Sequence, residues 1–262
     1  MKANNLARLQ PFYNEIARTA GLLWQKGWAE RNAGNISRVV PLEDAPLGRM
    51  GGERIPLLKP LPGLIGKVIL MTGTGTRMRE VATDPRKHIS IITLVDEGQT
   101  ALLLSPEIPP TSELPSHLEI LNYLVQHRPG YHAIVHTHPT QVIALSHLKI
   151  AKDPQLFCNI IWKMIPESYV FLSKGITLLP YLMPGSHALA KASTAAFTKG
   201  GDVIVWAKHG ALAIAANTEE AFDHIDLVEK SAAIYLAAKA TGEEPQGLSD
   251  EDLAALKAHY LL

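Results

Sequence analysis

The chain has 262 residues, 47% of them hydrophobic, enough to enclose one large core and be expected as a single domain over 1–262. Its 25 basic and 25 acidic side chains cancel, and no basic stripe runs along any segment, which argues against nucleic acid and membrane surfaces as partners. A lone cysteine, Cys158, excludes an internal disulfide, no apolar leader opens the chain, and no segment reaches the roughly 18 apolar residues of a membrane span, so a cytoplasmic protein is expected.

From the N-terminus, Leu6, Leu9, Tyr13, Ile16, Ala20, Leu23 and Trp24 recur at helical spacing, an amphipathic stripe that Gly27 is placed to end. Proline and glycine crowd 41–66, which predicts an irregular excursion between strands rather than a linker between domains. Strand signals follow at 67–71, 88–95 and 100–104, the last two flanking Asp96-Glu97-Gly98-Gln99, a turn that predicts an antiparallel hairpin. A helix is expected over 113–126. Strands at 131–136, 169–172, 176–179, 202–206 and 211–215 then alternate with helices at 139–148, 186–199 and 218–241. Asn217 followed by Glu220 has the form of a capping box, Gly242 closes that helix, and Ser249 caps a short last one. Hairpins mixed with outer helices predict an α/β fold, three layers α/β/α around a central, largely antiparallel mixed sheet.

Two of the expected strands end in histidine: 131–135 runs into His136-Thr137-His138, and 202–208 runs into His209-Gly210. Side chains two apart share one face of a strand, so His136 and His138 are able to aim at one ion, and Gly210 lets backbone crowd a ligand beside His209. Three imidazoles without a cysteine leave a tetrahedral zinc one position short, the pattern of a catalytic site with room for water or substrate. Against this stands the ordinary use of histidine, as in His117, His127, His147, His187 and His224, which fall on helical patterns as surface or core residues.

Thr72-Gly73-Thr74-Gly75 and Asn32-Ala33-Gly34-Asn35 are each able to turn N–H groups inward as an anion nest, with Thr74, Asn32 and Asn35 adding side-chain donors. Both sequences serve equally as plain turns, and neither has P-loop or dinucleotide-fingerprint spacing. Thr111-Ser112-Glu113 also admits two readings. One is helix-start chemistry, a hydroxyl N-cap with a glutamate in the first turn; the other sets Ser112 against an anion while Glu113 faces the metal.

Together TGTG, PTSELPSH, HTHP and KHG resemble the class II aldolase and adducin-head family. Five blocks in order, WQKGWAERNAGNIS, PTSELPSHL, HTHPTQVIAL, WKMIPES and LPYLMPGS, are similar to a branch of it that cleaves L-rhamnulose 1-phosphate, and they span most of the chain. The resemblance implies the α/β/α architecture inferred above and a lyase that forms dihydroxyacetone phosphate and L-lactaldehyde. It implies one zinc per subunit on His136, His138 and His209, and Glu113 as the acid/base at the enediolate carbon. Asn32, Gly34, Asn35, Thr74, Gly75 and Ser112 match the phosphate cradle. Glu167 matches a second carboxylate that reaches into a neighbouring subunit's site within a four-fold ring, a homotetramer. Two positions depart from the pattern: Ala33 stands where glycine is usual, and Thr74 where serine is common. The same architecture serves L-fuculose 1-phosphate aldolases, L-ribulose 5-phosphate 4-epimerases and non-catalytic adducin heads. The three histidines with Glu113 argue against the last. A Schiff-base aldolase is disfavoured because no lysine sits in an apolar strand-end setting beside the motifs.

Overall fold

The computed structural model describes residues 3–40, 52–105 and 107–262, with side chains from residue 8 onward. A long helix α1 (Ala3–Gln25) leads into β1 (Asn35–Val40), followed by β2 (Glu53–Pro56), β3 (Val68–Thr72) and the short α2 (Met78–Thr83). The hairpin β4 (Ile89–Val95) and β5 (Thr100–Leu103) precedes α3 (Leu114–His127) and β6 (Ala133–Thr137). Three helices then pack in succession, α4 (Thr140–Ser146), α5 (Pro154–Met164) and α6 (Pro166–Phe171), before β7 (Ile176–Leu179) and α7 (His187–Phe197). A second hairpin, β8 (Val203–Trp206) and β9 (Gly210–Ala215), leads to α8 (Thr218–Lys239) and α9 (Asp250–Tyr260).

The described strands form one nine-stranded sheet in the order β2-β5-β4-β3-β1-β6-β9-β8-β7, antiparallel at every pairing except the parallel β7–β8 edge. Alternation along its strands decides the layers. Ile36 and Val40 of β1, Val135 of β6 and Ala211, Ala213 and Ala215 of β9 point into a core roofed by α1, α2, α4, α5 and α8. Their neighbours Val39, Ile134, Leu212 and Ile214 point into a second core under α3 and α7. This is the three-layer, largely antiparallel arrangement that the hairpins and external helices predict.

Most expected elements stand within one or two residues of their boundaries. Leu9, Tyr13, Ile16, Ala20 and Leu23 are buried as the stripe requires, whereas Trp24 is exposed and stacks under Arg79, and the side chain of Leu6 lies outside the described residues. Ser249 and Asp252 form the reciprocal cap of α9. Asn217 caps α8 through the Glu220 N–H, but the Glu220 carboxylate turns to the Ala216 N–H instead of closing the box.

Two expectations are corrected. Of the run 169–172, residues 169–171 are helical, the last of α6, and Leu172 is its C-cap: Pro166 sits at the first helical position behind an extended Ile165, and Trp162 donates to the Leu172 carbonyl at 2.9 Å. A short apolar run does not reveal its period, and the proline start outweighs it. Of the excursion expected over 41–66, residues 41–51 lie outside the described residues, and the remainder is not wholly irregular, because Glu53–Pro56 pairs with β5 as an edge strand.

Candidate active site

Asn35 of β1 lies opposite His136 of β6 in the register, at the same end of the sheet where β8 turns into β9. His136 is the last residue but one of β6, and His138 lies just beyond the strand. Its position there is fixed by Trp28, whose carbonyl accepts from the His138 N–H at 2.9 Å and from the Thr137 hydroxyl at 2.7 Å. His209 belongs to the β8–β9 turn rather than to a strand end, and Lys208 before it takes a left-handed conformation, φ 64°. The three rings meet edge to face, with centroids 4.9 to 5.3 Å apart, and one nitrogen from each lies within 4.8 Å of the others.

Hydrogen bonds fix which nitrogen is free in two of the three rings. The Ala211 carbonyl can only accept, so His136 Nδ1 donates to it at 2.9 Å and Nε2 keeps its lone pair. His138 Nδ1 donates to the Glu30 carboxylate at 2.6 Å, with the same result. His209 Nδ1 is buried without a partner. Burial and the neighbouring imidazoles push His136 well below the usual histidine range and His209 down to about 4. Gly210 makes the gathering possible: a Cβ there would stand 2.4 Å from the Thr137 carbonyl oxygen and 2.9 Å from His136 Cε1. A cluster of three imidazoles, two with pinned tautomers and one with an orphaned ring nitrogen, is suited to hold a divalent cation.

Glu113 is buried at the start of α3, and its side chain does not cap the helix. Neither Ser112 nor Thr111 caps α3 by a side chain; Glu113 itself is the N-cap residue, and its carboxylate instead accepts from the Gly185 N–H at 3.0 Å. Burial raises its pKa, an effect that the Gly185 hydrogen bond and His138 only partly oppose. Gly185 belongs to the LPYLMPGS block and is close-fitted, with φ +71° and space for a Cβ only 2.9 Å from the Ser112 carbonyl oxygen.

All the residues assigned to the metal, the acid/base and the phosphate cradle line one cleft of about 200 Å³. His136, His138 and His209 form one wall beside Glu113, and the turns holding Asn32, Gly34 and Asn35, and Thr74 and Gly75, face it together with Ser112. Gly34 and Gly75 carry the left-handed angles of these turns, φ 79° and 71°, while Ala33 is not left-handed, which is why alanine is accommodated where glycine is usual. Glu167 is not brought to this cleft by its own chain. It is exposed in the first turn of α6 and lines a separate groove with Glu220, Asp223 and His224.

Three residues of the site escape the sequence motifs as chemical participants. Glu30 looks like a solvated turn residue, and nothing in its spacing links it to His138. Gly185 contributes a backbone N–H, which leaves no side-chain signature. His117, expected as an ordinary surface or core residue, is fully buried but joins Asn35 of the cleft to Ser37.

Comparison with known proteins shows the family. The family model described as the class II aldolase and adducin N-terminal domain matches residues 14–236. A rhamnulose-1-phosphate aldolase of Bacteroides thetaiotaomicron is 40% identical over 255 residues, covering 95% of this chain and 94% of that protein. Another rhamnulose-1-phosphate aldolase, of Listeria welshimeri, is 32% identical over 95% of this chain and 92% of its own length. Among solved structures, a sugar-phosphate aldolase from Thermotoga maritima superposes with a TM-score of 0.79 at 31% identity, covering 91% of this chain and 99% of that one. A family model that spans most of the chain, with relatives alike along nearly their full length, places this protein in the class II aldolase and adducin family.

Proposed function

We propose that the protein is a zinc-dependent aldolase that reversibly cleaves L-rhamnulose 1-phosphate into dihydroxyacetone phosphate and L-lactaldehyde. The observation that carries this reading is the convergence, in one cleft, of three imidazoles, a buried carboxyl group and two glycine turns rich in donors. The likeness to the Bacteroides thetaiotaomicron rhamnulose-1-phosphate aldolase supports the choice of sugar. His136, His138 and His209 would hold the metal, and a set of three nitrogen donors suits zinc. Bound there, the metal would supply Lewis acidity to stabilise the negative charge that cleavage leaves on the dihydroxyacetone phosphate fragment.

The work left to the protein is anchoring and proton transfer. Asn32, Asn35, Thr74 and Ser112, with the backbone of the Gly34 and Gly75 turns, take the phosphate. Holding this unreacting end orients C3 toward Glu113. Cleavage breaks the C3–C4 bond: the C4 hydroxyl loses its proton as C4 becomes the aldehyde carbon, and the bonding pair stays with C3. Glu113 then protonates C3, and in the reverse direction removes that proton. Its raised pKa keeps the acid form available closer to neutrality than an exposed glutamate would, which suits both roles.

The proton on the C4 oxygen needs a second group, and we assign it to Glu167 of a neighbouring copy in a four-fold ring. Its exposure on α6, outside the cleft of its own chain, is compatible with that assignment. The cytoplasm is the assigned compartment, in keeping with a single buried, free cysteine.

Cleavage assays on L-rhamnulose 1-phosphate, L-fuculose 1-phosphate and L-ribulose 5-phosphate, with and without chelator, test the reading. The first sugar should be cleaved fastest, with activity lost on chelation and restored by zinc. Preference for L-fuculose 1-phosphate or epimerisation of the pentulose would move the assignment to those chemistries. Inactivity on all three would favour a binding module.

A further inference from the structure

His117 makes no contact with the proposed metal ligands by hydrogen bond, yet it is completely buried between the site and the core. It lies one turn into α3 after Glu113, with its backbone N–H on the Glu113 carbonyl at 3.2 Å. Its ring bridges two side chains of β1 that point to the same face of the sheet: Nδ1 is 2.6 Å from Ser37 Oγ, and Nε2 meets Asn35 Oδ1. The two contacts are chemically linked. An amide oxygen only accepts, so Nε2 must carry the proton, and Nδ1 is then the lone pair that receives the Ser37 hydroxyl proton.

With its oxygen occupied, the Asn35 amide has its NH2 end left for the cleft that Asn35 lines. The reverse orientation would point an amide oxygen at the space assigned to a phosphate, replacing attraction by repulsion. Burial also keeps His117 from charging, holding its pKa to about 3, so this proton arrangement persists across the neutral range.

The geometry points to His117 as a positioning residue that, with Ser37, locks the Asn35 amide with its NH2 toward the phosphate of the substrate. This inference rests on the phosphate-cradle reading given above. The sequence Ser37–His117–Asn35 acts through binding and not through the proton transfers at Glu113. Its loss should therefore appear in KM and in inhibition by inorganic phosphate, with kcat much less affected.

The test compares wild type, Asn35→Ala, His117→Phe, Ser37→Ala and the doubles with Asn35→Ala in the cleavage of L-rhamnulose 1-phosphate. Inorganic phosphate is titrated as inhibitor in each. Losing a hydrogen bond to a charged group should raise KM and the phosphate inhibition constant of Asn35→Ala by about tenfold or more. His117→Phe should reproduce that rise, Ser37→Ala should show a smaller one, and neither should weaken binding further once Asn35 is alanine. A purely structural role predicts instead equal falls in kcat or effects that add to Asn35→Ala. If His117→Phe does not fold, the milder Ser37→Ala series decides by the same criteria. A normal KM in Asn35→Ala overturns the cradle reading, and this inference with it. A raised KM in Asn35→Ala with unchanged or additive effects from His117→Phe and Ser37→Ala overturns only the positioning role.

Discussion

Glu113 shows how one side chain is assigned between two chemistries. In sequence it is an ordinary first-turn glutamate; in the structure it is buried, reaches across to the Gly185 N–H and leaves the helix uncapped by side chains. Glu113→Ala should therefore lower turnover by roughly 10² to 10⁴ while metal content stays at one ion per chain. A residue that only capped α3 would instead cost about 1 kcal/mol of stability and leave turnover near normal. His117 supplies a pH prediction. Folded, it is held to about 3, below the ordinary 6.5 at which it titrates when unfolded. Between those values the unfolded chain binds a proton that the folded chain does not. The resulting stability is complete above pH 6.5 and is lost as pH falls toward 3, on the order of 5 kcal/mol in all. In denaturant titrations from pH 7 to 4, His117→Phe should lose stability less steeply than wild type, by about 1.4 kcal/mol per pH unit. Parallel curves would show that His117 takes up its proton in the fold as readily as in the unfolded chain.

At the level of elements, the strands that carry chemistry are those most legible in the sequence. The runs into His136 and His209 are continuous apolar stretches buried on both faces, and their ends are marked by histidine and glycine. What the pattern does not show is that His209 sits in the hairpin turn, and that Gly210 is required because a Cβ there meets the Thr137 carbonyl oxygen at 2.4 Å. Gly210→Ala should cost about 1–3 kcal/mol and reduce bound metal, measured by denaturation and metal analysis. The apolar Tyr-Val-Phe-Leu run reads as a strand but folds as α6, since proline at the helix start and packing of Trp162 on Tyr169 decide it. Helices α2 and α5 are likewise not among the expected elements, although Asp153 before Pro154 is a helix start in which the carboxylate accepts from the Gln155 and Leu156 N–H groups. The far end of α3 is tied to β8 by a buried pair, Arg128 with Asp202 at 2.5 Å, and Tyr131 also donates to Asp202. Asp202→Ala leaves that guanidinium only the Gly201 carbonyl and the Tyr131 ring and should cost about 1–3 kcal/mol, seen as a lowered melting temperature.

For the molecule as a whole, ten of the eleven residues singled out from sequence meet in one cleft, because TGTG, PTSE, HTH and KHG lie at strand ends, a helix start and a hairpin turn that the sheet order gathers at one end of its central strands. The eleventh, Glu167, lies outside that cleft on its own chain, and one chain's pattern holds no record of a neighbour. If Glu167 serves the next subunit of a ring, Glu113→Ala and Glu167→Ala should each be poorly active, yet random co-assembly should restore about a quarter of the sites. Mixed rings as inactive as either parent would place Glu167 outside the chemistry. The most direct measurement of the central claim is solvent exchange at C3 of dihydroxyacetone phosphate alone, followed by NMR in D2O. It isolates the proton step that Glu113 and the histidine-held metal are assigned to perform. Wild type should replace one C3 hydrogen by deuterium with a single stereochemistry, and both chelation and Glu113→Ala should abolish the exchange. Enzyme-catalysed exchange that survives chelation or the loss of Glu113 would contradict the account.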